Sequence, residues 1–194
     1  AIPFMPYRCP EVFYSTSKLT GLFEEKNINN ILIITDEGIR KFGLLDRMIM
    51  HFKHHDINYF IYDKTVANPT TENVEEARRV YIDNDCNAII GFGGGSSIDC
   101  AKAVGAKIAK PKQSLAKMKG ILKVHKKLPL LIAIPTTAGT GSETTLAAVI
   151  TDAATRHKYA INDFPLIPAY AVLDPKVTIS LPPSLTATTG MDAL

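Results

Sequence analysis

Tryptophan is absent from the 194 residues, and cysteine occurs only three times. Cys9, Cys86 and Cys100 are odd in number, far apart and never in a Cys-x-x-Cys pair. That argues against a disulfide framework and for reduced thiols in a cytoplasmic setting. No apolar run approaches the roughly 18 residues of a membrane helix, so no membrane partner is expected. The first ten residues hold three prolines and no long apolar stretch, so no secretory signal is expected there. Acid is also missing locally: Cys100 to Ser142 contains no Asp or Glu but nine lysines, Lys102, Lys107, Lys110, Lys112, Lys117, Lys119, Lys123, Lys126 and Lys127. The same stretch has no Phe, Tyr or Trp on which bases could stack, so a solvated lysine-rich helix and loop is expected rather than a nucleic-acid site.

What remains is ordinary globular composition, 46% hydrophobic and 21% charged, in a length that suits one domain with perhaps a small second piece. Short β-branched runs alternate with helical patterns. Strands are expected at Ile31–Thr35, Ile57–Tyr62, Ala88–Phe92 and Leu128–Ile134. Helices are expected at Ile39–Phe52, with Phe42, Leu45, Ile49 and Phe52 on one face, at Glu72–Asn84 and at Ser96–Ala109. Strands separated by such helices form βαβ units, which gives an α/β fold with a Rossmann-like, doubly wound parallel sheet. Further strands are expected at Thr145–Thr151, Lys158–Ile161 and Tyr170–Leu173. A helix opens at Pro182-Pro183-Ser184 and reaches Leu194 without a cap, so the chain reads as part of something longer.

Two loops carry chemistry. Gly91-Phe92-Gly93-Gly94-Gly95-Ser96-Ser97 follows a buried strand and opens a helix. Its glycines let the backbone approach a ligand, and the helix amino end attracts a pyrophosphate. Ser96 stands where the usual dinucleotide fingerprint has its third glycine, and no acid follows about twenty residues on. A candidate ribose-binding acid lies upstream at Asp36, at the carboxyl end of the first strand. There it would either accept the ribose hydroxyls, favouring NAD over NADP, or cap the next helix. The second loop, Pro135-Thr136-Thr137-Ala138-Gly139-Thr140-Gly141-Ser142-Glu143, interleaves small hydroxyl residues with glycine and also follows a strand. It reads either as a ligand loop or as a turn with capping hydroxyls. His51, His54 and His55 have metal-like spacing, but their place at a helix end suits the dipole better.

Together these segments resemble the iron-dependent (group III) alcohol dehydrogenase family. The likeness rests on Thr35-Asp36, Asn68-Pro69-Thr70, Gly93-Gly94-Gly95-Ser96-Ser97-Ile98-Asp99, the threonine loop, and Ala187-Thr188-Thr189-Gly190-Met191-Asp192-Ala193-Leu194. The resemblance implies a cofactor-binding domain over residues 1–181, followed at 182–194 by the first turns of an all-helical metal-binding domain whose remainder lies outside this chain. It implies that Asp36 binds the adenosine ribose, that Asn68 lines the cleft, and that Gly94, Gly95 and Ser96, with Asp99 in the same motif, hold the pyrophosphate. Thr136, Thr137, Thr140, Ser142 and Thr145 would contact adenine, phosphate or nicotinamide ribose, and Val149 and Lys158 would close the nicotinamide side. Asp192 would be the first of four metal ligands, the others being histidines beyond Leu194. The implied activity is NAD-dependent interconversion of a small alcohol and its aldehyde or ketone, with Fe²⁺, or alternatively Zn²⁺, as Lewis acid. This half would bind cofactor and not turn over alone. A homodimer is implied, with Phe13 and Tyr14 as a candidate pairing segment. The alternatives are a zinc-dependent glycerol dehydrogenase or dehydroquinate-synthase-like enzyme, and a non-catalytic nucleotide-binding module.

Overall fold

In a computed structural model, residues 8–179, 183–191 and 193 are described, save for the Leu185 side chain. In chain order the elements are β1 (Glu11–Phe13), α1 (Lys18–Glu25), β2 (Asn30–Ile34), α2 (Glu37–Lys41), α3 (Asp46–His54), β3 (Asn58–Tyr62), α4 (Thr71–Asp83) and β4 (Ala88–Gly93). They continue with α5 (Gly95–Ala109), α6 (Leu115–Met118), β5 (Gly120–Ile121), β6 (Leu130–Pro135), β7 (Ala147–Thr151), β8 (Lys158–Asn162), β9 (Tyr170–Val172) and α7 (Pro183–Met191).

Six strands form one parallel sheet in the order β1-β9-β6-β4-β2-β3. Both faces are covered, as an all-parallel sheet requires. The two-residue period of β2 sends Ile31 and Ile33 into a core with Phe23 of α1, Ile39 of α2 and Phe52 of α3. Leu32 and Ile34 face the other way, onto Val74 of α4 and Val104 of α5. A second, three-stranded sheet, β5-β8-β7, joins that core through Ala148, Ile150, Tyr159 and Ile161.

The helix expected over Ile39–Phe52 is two helices. Gly43 takes φ +66°, its amide donates to Arg40 O, and the Leu44 amide donates to Ile39 O. This is a Schellman ending, which glycine permits and which the apolar spacing alone does not reveal. Phe42, expected on the buried face, is therefore 48% exposed. Phe13 lies in β1, at one edge of the large sheet, and Tyr14 follows it, exposed. Glu11–Phe13 pairs in parallel with Tyr170–Val172 of its own chain.

Gly91 shows how tightly the central layer is built. A Cβ there would stand 2.9 Å from Ala101 Cβ and 3.0 Å from Ile98 Cα, a backbone atom of α5. Gly91→Val is therefore expected to cost about 2–3 kcal/mol through overpacking. The loss would be read as a lowered Tm of the whole protein, and an unchanged Tm would contradict this packing.

Candidate cofactor site

Taken in chain order, the five strands β2, β3, β4, β6 and β9 lie in the spatial sequence second, first, third, fourth, fifth. From β2 the chain moves to β3 on one side, and from β3 it crosses back to β4 on the other side of β2. Open α/β sheets bind ligands at the carboxyl ends of two such strands, where the order reverses. Here those ends carry Thr35-Asp36 and Gly93-Gly94-Gly95.

Gly93 has φ +143°, a backbone state that a side chain would strain. A Cβ on it would meet Ser97 Oγ at 2.8 Å. Gly94 is the extended N-cap of α5, and no side chain caps that helix. The first amides of a helix have no intrahelical partner, so they point toward a ligand position. Asp36 stands beside this turn, half-buried. Its Oδ1 accepts the Ile39 amide at 2.9 Å as N-cap of α2, and its Oδ2 accepts from Ser97 Oγ at 3.4 Å. The capping role is thus present, and the second oxygen is tied to the glycine turn.

The threonine loop folds over the same helix end. The Thr136 amide donates to Gly93 O at 3.0 Å. Thr137 Oγ1 lies 3.4 Å from where a Gly94 Cβ would be. A Cβ on Gly95 would meet Ser142 Oγ at 3.1 Å and Thr140 Cβ at 3.3 Å. Thr136 Oγ1 is buried and has no hydrogen-bond partner among the described residues, an open polar position at the base of the loop. Asn68, after β3, donates its amide to Ser96 Oγ at 3.3 Å, and Lys158 Nζ donates to Asn68 Oδ1. The structure therefore gathers Asp36, Asn68, Gly94, Gly95, Ser96, Thr136, Thr137, Thr140, Ser142 and Lys158 around the first turn of α5. A dinucleotide fits this setting: a carboxylate, unpaired helix amides, and glycines in which a side chain would fill the space.

Asp99, Val149 and Thr145 are also bonded within the protein. Asp99 Oδ2 accepts the Val149 amide at 3.0 Å. Burial pushes this carboxyl up, against the opposing Val149 amide, Lys102, Ser142 and Lys158. Thr145 Oγ1 and Thr145 O both accept from Lys102 Nζ, at 3.0 and 2.8 Å.

Lys102 is the residue that sequence reasoning missed. It belongs to the lysine-rich stretch read as solvated, yet it is fully buried, and Lys107 is also buried. The apolar run around it, Cys100-Ala101 and Ala103-Val104, could have signalled an inward face. His157, which shows no partner in the sequence, has Nε2 3.1 Å from Lys119 Nζ. Burial raises the Cys100 thiol to about 12 and the Cys86 thiol to about 11, so neither is primed as a nucleophile.

No group of three or more His, Cys, Asp or Glu among the described residues could hold a metal ion. The described residues thus do not themselves fit an iron site, and Asp192 lies outside them. Nor is any described helix long and apolar enough to cross a membrane. A groove of about 970 Å³ lies at the opposite end of the sheet, lined by residues such as Ile28, Asn87 and Leu130 that precede or open the strands.

A chain with this sheet and these loops matches known proteins over most of its length. The model of the iron-containing alcohol dehydrogenases matches residues 12–175, and the chain belongs to that family. It is 42% identical over 165 residues to alcohol dehydrogenase 4 of Schizosaccharomyces pombe, covering 85% of this chain and 39% of that protein. It is 37% identical over 163 residues to the NAD-dependent methanol dehydrogenase of Bacillus methanolicus, covering 84% of this chain and 42% of the relative. The crystal structure of a 1,3-propanediol oxidoreductase superposes with a TM-score of 0.90 at 32% identity, over 97% of this chain and 50% of that one. The chain thus spans about half the length of the relatives it matches. The family match favours the alcohol dehydrogenase branch over the glycerol dehydrogenase and dehydroquinate-synthase-like alternative.

Proposed function

We propose that this chain is the cofactor-binding part of an NAD-dependent alcohol dehydrogenase that interconverts a small alcohol and its aldehyde or ketone. The observation that carries this reading is the meeting of Asp36, the glycine turn and the threonine loop at the point where the strand order reverses. NAD⁺, when bound, accepts the hydride that the alcohol carbon gives up. The chain's own residues bind and orient it. Asp36 accepts the adenosine ribose hydroxyls and repels a 2′-phosphate. Gly94, Gly95 and Ser96 hold the pyrophosphate on the helix amides, with Asp99 supporting Ser142 behind them. Thr136, Thr137, Thr140 and Ser142 offer hydroxyls and amides along the dinucleotide, and Thr145 and Val149 hold the loop's exit. Asn68 and Lys158 close the nicotinamide side as a pair.

The rest of the reading concerns the whole protein. Residues 1–181 form the cofactor domain, and 182–194 begin the next. Asp192 is the first ligand of the iron for which the family is named. The protein works as a homodimer in the cytoplasm. Calorimetric titration of the full-length protein with NAD⁺ and with NADP⁺ tests the reading. NAD⁺ is expected to bind at least about tenfold more tightly, from the charge on Asp36. Equal or tighter binding of NADP⁺ would contradict it.

A further inference from the structure

Among the described residues no strand lies along the second edge of β7, and α5 supplies most of its partners. Leu146 O turns toward β8, where it accepts the Asp163 amide. Residues 145, 147, 149 and 151 turn the opposite way. Thr145 O and Ala147 O accept from Lys102 Nζ at 2.8 and 2.9 Å, the Val149 amide donates to Asp99 Oδ2, and the Thr151 amide donates to Pro69 O. Thr145 Oγ1 is the third acceptor of the same amine. An ammonium has three donors and no acceptor, so its three bonds here use it fully. A neutral amine would leave one of those three oxygens without a proton from Lys102.

Gly95, Asp99 and Lys102 follow one another at i, i+4 and i+7 and share one face of α5. That face lies against the threonine loop at Ser142 through Gly95, and at Thr145 through Lys102. At its other end the loop is held by the Thr136 amide on Gly93 O. One helix therefore carries both the glycine turn and the anchor of the loop that covers it.

We propose that Lys102 is a positioning residue: its charged amine locks residues 136–145 in register with the glycine turn, so cofactor affinity depends on its protonation. The proposal rests on the reading of this site as the NAD site. Lys102 does not touch the cofactor, since its amine is enclosed by protein oxygens. Burial lowers its pKa from the ordinary lysine value to about 8, with Asp99 and Glu143 opposing the shift. The charged groups around it are Asp99 on its own helix, Glu143 on the loop, and Lys158 of β8, which acts on Asp99. Two cofactor phosphates arriving nearby favour the ammonium, so binding takes up a proton where the free site has lost it. Affinity then falls as pH rises through about 8 and levels off above the pKa of the bound state.

The test is the Kd of the full-length protein for NADH, read by fluorescence between about pH 7 and about pH 9.5, for wild type and Lys102→Met. Methionine keeps the length and removes the donors. Wild type is expected to lose about tenfold in affinity across this range. Lys102→Met is expected to bind about tenfold more weakly at pH 7 and to show no such fall. A variant with wild-type affinity and a wild-type profile would overturn the proposal while leaving the NAD reading intact. A flat wild-type profile would overturn it without recourse to the variant. A wild type that binds no NADH at pH 7 would overturn both.

Discussion

Gly95→Val is expected to weaken NAD⁺ binding by about a hundredfold or more in the full-length protein. A Cβ at this position already presses on Ser142 Oγ at 3.1 Å and on Thr140 Cβ at 3.3 Å, and valine adds two methyl groups beyond it. Those groups occupy the space in which a pyrophosphate would reach the first amides of α5. Hydrogen bonds to charged groups contribute about 1.5–3 kcal/mol each, so losing one corresponds to about ten- to a hundredfold and losing two to about a hundredfold or more. Gly95 is a helical residue without positive φ, so the fold should tolerate the change better than it tolerates Gly91→Val. Calorimetry with NAD⁺ measures the loss, and circular dichroism confirms that the helix persists. Unchanged affinity would place the pyrophosphate elsewhere.

Asp36→Ser is the second large effect, and it separates two roles of one side chain. Serine remains a good N-cap, so the bond to the Ile39 amide has a replacement and α2 should hold. The negative charge beside the glycine turn is lost. The NAD⁺ kcat/KM is expected to fall about tenfold, and that for NADP⁺ to rise by a similar factor, because the variant neither accepts both ribose hydroxyls nor repels a 2′-phosphate. Asp36→Ala serves as the contrast. It removes the cap as well and should cost about 1 kcal/mol of stability in addition. If Asp36→Ser keeps the wild-type preference between the two cofactors, Asp36 is a cap and nothing more.

Most of the sheet was legible because its strands are buried on both faces and read as short β-branched runs bounded by turns. Ile31–Ile34 and Ala88–Phe92 are of this kind, and the structure moves their ends by a residue or so. The elements that escaped notice are short or depend on tertiary partners. β1 is three residues long and exists by pairing with β9, and β5 is two residues long beside β8. Helix α1 carries Leu19, Leu22 and Phe23 at helical spacing, a readable signal diluted by Thr20 and Gly21.

The candidate site was legible where chemistry resides in residue type. Glycines before a helix and hydroxyls in a loop stand out in any sequence. Lys102 was not, because a lysine ordinarily marks the surface. Only the fold reveals that a helix side chain replaces a strand along the free edge of β7. The same edge engages Asp99, Thr145 and the Val149 amide in bonds that the sequence does not show.

The account's central claim is that the whole protein moves hydride between an alcohol and NAD. The most direct measurement is the absorbance of reduced nicotinamide when full-length protein is mixed with NAD⁺ and a series of small primary alcohols. The account predicts NADH formation, with NADP⁺ turned over far more slowly in the same assay. Tight binding of NAD⁺ without reduction by any alcohol, and without NADH oxidation by the matching aldehydes, would contradict it and leave a nucleotide-binding module on the same fold.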